Sequence, residues 1–171
     1  DAAAIVDLAG RHPQSLLVVD EAFADVPPGF ASLAGERPHN VAVLLSLTKN
    51  YAIPGLRLGL AVAPAEIAAR IRAALPPWSV NTLAQAIGAA ALHDREYLAH
   101  SRKQVTKWRE QLSAWVARTP GLRVYPGSAN FLLVRIDRTD VTARILAERL
   151  LRHCIAIRVC DNFEGLDERY F

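Results

Sequence analysis

The sequence predicts an α/β protein: part of a large, mostly parallel sheet domain over residues 1–110, then a small α+β domain over residues 111–171. Three observations carry this. Short apolar runs stop abruptly at polar residues, longer segments repeat their apolar positions at helical spacing, and the texture changes after Pro120-Gly121.

Residues 2–9 read as the end of a helix, closed by Gly10 and Pro13. Leu16-Leu17-Val18-Val19 is a continuous apolar run ending at Asp20-Glu21, the pattern of a strand covered on both faces. Pro27-Pro28-Gly29 marks a loop. Val41 to Leu47 reads as a second buried strand that ends at Thr48-Lys49, and Leu58 to Val62 as a third, after the Pro54-Gly55 turn. Pro64 opens a helix with Ile67, Ile71 and Leu75 on one face, which Pro76-Pro77 breaks. Ser79 is the expected N-cap of an alanine-rich, closely packed helix through Leu92. Asp94 caps a longer helix to about Arg118, with Tyr97, Ser101, Val105, Trp108, Leu112 and Trp115 along one face. Beyond Gly121, Leu122–Val124 and Asn130–Ile136 read as strands, Thr139–His153 as an amphipathic helix and Ile155–Val159 as a strand. That β-β-α-β unit is the small domain, and the boundary is expected within the long helix, near Trp108–Leu112.

Composition narrows the function. With 171 residues, 51% of them hydrophobic, the chain can bury a core, but no uncharged apolar run is long enough to span a bilayer. Its 20 basic and 17 acidic side chains are well mixed, and a net charge of +3 argues against nucleic acid as a partner. A locally basic pocket for an anionic small molecule is compatible with it. Cys154 and Cys160 flank a short apolar segment that a disulfide would bridge awkwardly, and two thiols make no metal site, so buried free thiols are expected. The opening DAAAIVDLAG has no signal-peptide pattern, and a cytoplasmic location is expected. No methionine occurs, and the chain opens in helix-like sequence and stops at Arg169-Tyr170-Phe171, which predicts a fragment.

Three features stand at or just after strand ends: Asp20, the segment Ser46-Leu47-Thr48-Lys49, and Arg57. Ligands of open α/β sheets gather at the carboxyl ends of strands. Singly, each has a bland reading: a turn-forming aspartate, a solvated lysine, a surface ion pair. Together they match one cofactor. Pyridoxal phosphate needs an acid for its ring nitrogen, an amine for its aldehyde and donors for its phosphate. Asp20 fits the first, Lys49 the second, and Ser46, Thr48 and Arg57 the third.

The strings VVDEAF, SLTKNYAIPGLRLG, SVNTLAQAIGAAAL and ANFLLVR resemble the fold-type-I, pyridoxal-phosphate-dependent aminotransferases of the histidinol-phosphate aminotransferase branch. The lysine segment is the specific part, with serine three residues before Lys49 and arginine eight after it. The resemblance implies that Asp20 keeps the pyridine nitrogen protonated, that Lys49 binds the cofactor aldehyde and then moves protons, and that Ser46, Thr48 and Arg57 grip the phosphate. Arg158 matches an arginine expected to meet an anionic group of the substrate, with a surface strand-end residue as its alternative. Asn130 stands at the start of ANFLLVR, near the substrate or simply in a turn. Trp78 and Tyr51 are candidates for the pocket wall, with ordinary packing as the alternative.

Within that branch, the Tyr-Ala-Ile-Pro context of Lys49, the PPWSVN segment at Pro76–Asn81 and the tail IRVCDNFEGLDERYF are similar to the threonine-phosphate decarboxylases of cobalamin biosynthesis. Phe23 points the same way, standing where most relatives carry a tyrosine whose hydroxyl meets the cofactor. The implied substrate is a small phosphorylated amino acid, and the implied full-length parent is a homodimer. The resemblance also implies an upstream half with a further phosphate loop and a ring-stacking aromatic, so the isolated chain is expected to be inactive. Two alternatives stand beside it: a histidinol-phosphate or related aminotransferase, and an inactive remnant that keeps only the fold.

Overall fold

The first apolar run becomes strand β1 (Leu17–Asp20), and the second becomes β2 (Val41–Ser46). They pair in parallel, with Leu17 opposite Val41 and Asp20 opposite Leu44. The third, β3 (Gly59–Val62), lies on the other edge of β2 and runs antiparallel, with Ser46 opposite Gly59. A computed structural model provides this architecture and describes residues 2–24, 29–35 and 38–171. Pro27 and Pro28 of the expected loop therefore lie outside the described residues.

Helix α1 (Ala2–Arg11) covers one face of the sheet. Ala9, Leu33, Val41 and Val43 form a buried cluster there, flanked by Ile5, Leu17, Val19 and Leu45. The expectation of strands covered on both faces is corrected. Exposure alternates along β1, and Val18 and Leu44 remain 59% and 39% exposed. Apolar side chains on both faces of a strand call for two covering layers, and among the described residues the second is not supplied at these positions.

Asn40 fastens this layer together. Buried at the start of β2, its Nδ2 amide donates to the carbonyls of Ala9, His12 and Ser15, each at 3.0 Å. Those carbonyls belong to the end of α1 and the turn leading to β1; Ala9 O and His12 O also accept from His12 N and Ser15 N, and Asn40 adds a second donor to each. Asn40→Ala is expected to destabilise the fold by about 2 kcal/mol, through loss of the hydrogen bonds that tie α1 and the following turn to β2. Chemical denaturation measures this directly, and an unchanged midpoint would refute the assigned role.

After β2 the chain makes a single helical turn, α2 (Leu47–Asn50), and a 3-10 turn (Pro54–Leu56) before β3. Helices α3 (Ala65–Ala74), α4 (Thr82–His93) and α5 (Arg95–Ala117) follow. The expected N-cap Ser79 is corrected to Asn81, whose Oδ1 accepts from Ala84 N at 2.8 Å. Trp78 sits in the left-handed region at φ 62°, so the chain is still turning at Ser79. The close packing expected of α4 is confined to one line: Ala84 is fully buried and a Cβ at Gly88 would collide with the Leu58 side chain, whereas Leu83 and Leu92 are exposed. Asp94 caps α5 as expected, accepting from Tyr97 N at 2.8 Å. The apolar stripe of α5 is not buried among the described residues, with Trp108 and Trp115 61% and 70% exposed. No helix among the described residues is long and apolar enough to cross a membrane.

Contacts divide the chain into two compact units, the first reaching Gln104 and the second Val105–Phe171. In the second, β4 (Leu122–Val124) pairs antiparallel with β5 (Val134–Ile136), and α6 (Ala143–Leu151) follows, capped by Thr142. The strand expected over Ile155–Val159 does not form. One edge of β5 holds β4, and the other holds Arg169–Phe171 through Val134 N to Phe171 O at 2.9 Å and Ile136 N to Arg169 O at 2.9 Å. Both ladders of β5 are thereby occupied.

Charge pairs line this sheet. Asp137 accepts from Arg135 Nε at 2.6 Å and Arg123 Nε at 2.9 Å. The Arg135 bond, with further help from Arg123, holds the Asp137 carboxyl below the usual carboxylate range. Cys160 is buried as expected, whereas Cys154 is exposed in a left-handed backbone at φ 60°, which corrects the expectation for that thiol.

Candidate functional site

Strand β2 and the turn after it place the polar residues. Ser46 ends the strand, and its hydroxyl lies 2.8 Å from that of Thr48 in the first turn of α2. Thr48 is 5% exposed, so these two hydroxyls are partly shielded from water. Lys49 follows at once. Its Nζ donates to Thr48 Oγ1 at 3.4 Å and lies 5.8 Å from the centroid of the Phe23 ring. Phe23 comes from the segment after β1, so two strand ends supply this cluster.

Asp20 ends β1, one strand over, and is exposed. Its Oδ1 accepts from Ala22 N at 2.8 Å, the turn-forming bond expected of an aspartate in that position. One carboxylate oxygen has that role, and a carboxylate accepts at both oxygens.

Arg57 occupies the turn that leads into β3, two residues before Gly59, the partner of Ser46. Its backbone is left-handed at φ 51°, as is that of Ala52 at φ 52° in the same connection. Non-glycine residues there cost about 1–2 kcal/mol each, so the rest of the turn must hold them. One Arg57 N–H donates to Pro54 O at 3.1 Å, of the five that a guanidinium carries. Gly59 is required by space: a Cβ would stand 3.0 Å from Leu45 O.

Arg158 and Asn130 belong to the second unit. Arg158 donates to Asn162 Oδ1 at 3.0 Å and lies 5.5 Å from the Phe163 ring centroid. Asn130 is exposed beside a small cavity of about 160 Å³ that Trp108, Leu112 and Phe131 also line. Tyr51 stacks on Tyr97 with centroids 5.9 Å apart, and Trp78 is 95% exposed. A cavity of about 590 Å³ between β3 and α4 has an apolar lining that includes Leu47, Leu58, Leu60 and Trp78 and none of the polar group above.

One buried group at this end of the sheet escaped the sequence reading. Glu21 is 3% exposed, accepting from Ser32 Oγ at 2.5 Å and Leu33 N at 2.9 Å. Its partners stand 11 and 12 residues downstream, and only its position after Asp20 hinted at a role.

The donor set suits pyridoxal phosphate: an amine, two adjacent hydroxyls, a guanidinium in the next turn and a carboxylate on the neighbouring strand. The paired hydroxyls of Ser46 and Thr48 are the clearest sign, since each can turn its hydrogen to a phosphate oxygen.

Comparison with known proteins agrees. The family model described as aminotransferase class I and II matches residues 1–167. Threonine-phosphate decarboxylase of Salmonella typhimurium is 43% identical over 159 residues, covering 91% of this chain and 43% of that protein. The crystal structure of L-threonine-O-3-phosphate decarboxylase from Porphyromonas gingivalis matches with a TM-score of 0.86 at 28% identity, covering 99% of this chain and 53% of that one. Histidinol-phosphate aminotransferase from Sinorhizobium meliloti, solved in complex with pyridoxal-5'-phosphate, matches with a TM-score of 0.83 at 26% identity, covering 92% of this chain and 44% of that one. The chain spans about half the length of the relatives it matches. Its fold is that of the fold-type-I enzymes, and the chain belongs to the aminotransferase class I and II family.

Proposed function

We propose that the protein carrying this chain uses pyridoxal phosphate to decarboxylate L-threonine O-3-phosphate to (R)-1-amino-2-propanol O-2-phosphate, for cobalamin biosynthesis. The cluster of Lys49, Ser46, Thr48 and Phe23 carries the cofactor part of this reading. The 43% identity to the Salmonella decarboxylase supports the substrate. On this reading residues 1–110 belong to the large cofactor domain and 111–171 to the small one, in a cytoplasmic homodimer.

When bound, pyridoxal phosphate supplies an electron sink for the pair left on the α-carbon. Lys49 would hold the cofactor through Nζ. Asp20 keeps a proton on the ring nitrogen, which sustains the positive charge that makes the sink effective. Ser46, Thr48 and Arg57 hold the phosphate through hydroxyl and guanidinium donors. Phe23 offers Lys49 an aromatic face and no hydroxyl. Arg158 and Asn130 meet the substrate's anionic and polar groups. The α-carbon loses its carboxylate as carbon dioxide and gains one proton, which Lys49 Nζ delivers.

Which bond to the α-carbon breaks depends on how the anionic groups of the substrate are held. The likeness to the Sinorhizobium aminotransferase supports a second reading, amino transfer from histidinol phosphate. One assay separates them. The full-length protein is given carboxyl-labelled threonine O-3-phosphate without any keto acid. Sustained release of labelled carbon dioxide is expected. No release, with amino transfer from histidinol phosphate once 2-oxoglutarate is added, would move the function to the aminotransferase.

A further inference from the structure

Glu21 is a buried carboxylate that the proposed chemistry does not use. It follows Asp20 directly, and its backbone N–H donates to Leu44 O at 2.8 Å, so the end of β1 fixes its position. The side chain turns away from solvent and accepts from Ser32 Oγ and Leu33 N. Leu33 is 2% exposed within the core cluster beneath the sheet, so this anchor is rigid. Ser32 Oγ also accepts from Ala34 N at 3.1 Å, which ties the following 3-10 turn into the same arrangement. Glu21 thus pins the return of the chain to the strand end from which it departed. Phe23 stands two residues along the departing segment, with its ring 5.8 Å from Lys49 Nζ.

We infer that Glu21 is a positioning residue: its carboxylate clamps the segment after β1 so that the Phe23 ring faces the Lys49 amine. The inference rests on Lys49 being the cofactor-holding residue. A burial this complete is costly for a carboxylate unless hydrogen bonds meet it, and both oxygens are met. An aromatic face favours a cation held against it. Phe23 thus offers its face to positive charge on the nitrogen that Lys49 carries.

The test titrates the cofactor's visible absorbance against pH in the full-length protein loaded with pyridoxal phosphate. Glu21→Ala, Ser32→Ala and Phe23→Ala are compared singly, and the first two again in combination with Phe23→Ala. Glu21→Ala is expected to lower the midpoint by about half a pH unit, the size of an exposed cation–aromatic contact. Ser32→Ala, which removes one clamp bond and leaves the acid, is expected to lower it by less. Neither is expected to add a shift once Phe23 is alanine, because both act through that ring. Unmoved midpoints in the single variants, or equal shifts with and without Phe23, would overturn the inference. Should Glu21→Ala fail to fold, the Ser32→Ala pair decides alone by the same criterion. Borohydride trapping of the wild-type cofactor runs alongside. Trapping away from Lys49 would sink both this inference and the reading beneath it, whereas trapping at Lys49 with no Phe23-dependent shift would sink this inference only.

Discussion

Lys49→Ala is expected to abolish covalent attachment of pyridoxal phosphate and to lower turnover of the full-length enzyme by at least on the order of 10³. Two functions disappear at once. Under the proposed function, the cofactor aldehyde would lose its amine and the reacting carbon the group that moves its proton. The fold should tolerate the change, because Lys49 is exposed and the hydrogen bond from its Nζ to Thr48 Oγ1 is long at 3.4 Å. Thr48 keeps its contact with the Ser46 hydroxyl without it. The checks are the absorbance of the purified protein, its thermal midpoint and its turnover. An intact midpoint with lost absorbance is the expected result; full activity would remove Lys49 from the chemistry.

Asp20→Asn has the second largest expected effect, a loss of about 10²–10³ in turnover with folding intact. The substitution is chosen for what it preserves. An asparagine carbonyl can accept from Ala22 N as Asp20 Oδ1 does, so the turn after β1 stays closed. What it removes is the negative charge that would keep the ring nitrogen protonated. Asp20→Ala would remove the turn bond as well, costing about 1 kcal/mol, and would confuse the two effects. Steady-state kinetics with cofactor in excess make the measurement. A rate within a few-fold of wild type would leave Asp20 as a turn former alone.

Much of this was legible because local chemistry wrote it. Leu17–Val19 and Val41–Leu45 are apolar runs that end in polar residues, and both become strands with the candidate groups at their carboxyl ends. The spacing of Ser46, Thr48 and Lys49 is short enough for one turn of helix to set their geometry. Gly59 was visible only as part of GLRLG, and its close approach to Leu45 O explains why a glycine stands there.

What escaped depends on partners distant in sequence. The apolar run at Leu58–Val62 is a strand, but periodicity carries no direction, and β3 runs antiparallel. Ile155–Val159 has the composition of a strand, yet both edges of β5 belong to other residues. Ser79 and Asn81 are equally good capping types, and the left-handed Trp78 shifts the start of α4 to the second. Asn40 and Glu21 look like ordinary polar residues of a turn and a strand end. Their importance comes from carbonyls 25 to 31 residues away in one case and from Ser32 and Leu33 in the other.

The most direct test of the account is chemical trapping of the cofactor. The full-length protein, loaded with pyridoxal phosphate, is reduced with borohydride, digested, and mapped for the modified lysine. The account predicts a single stable adduct on the peptide that contains Ser46-Leu47-Thr48-Lys49, absent from Lys49→Ala. An adduct on another lysine, or tight cofactor binding with none at Lys49, would contradict it.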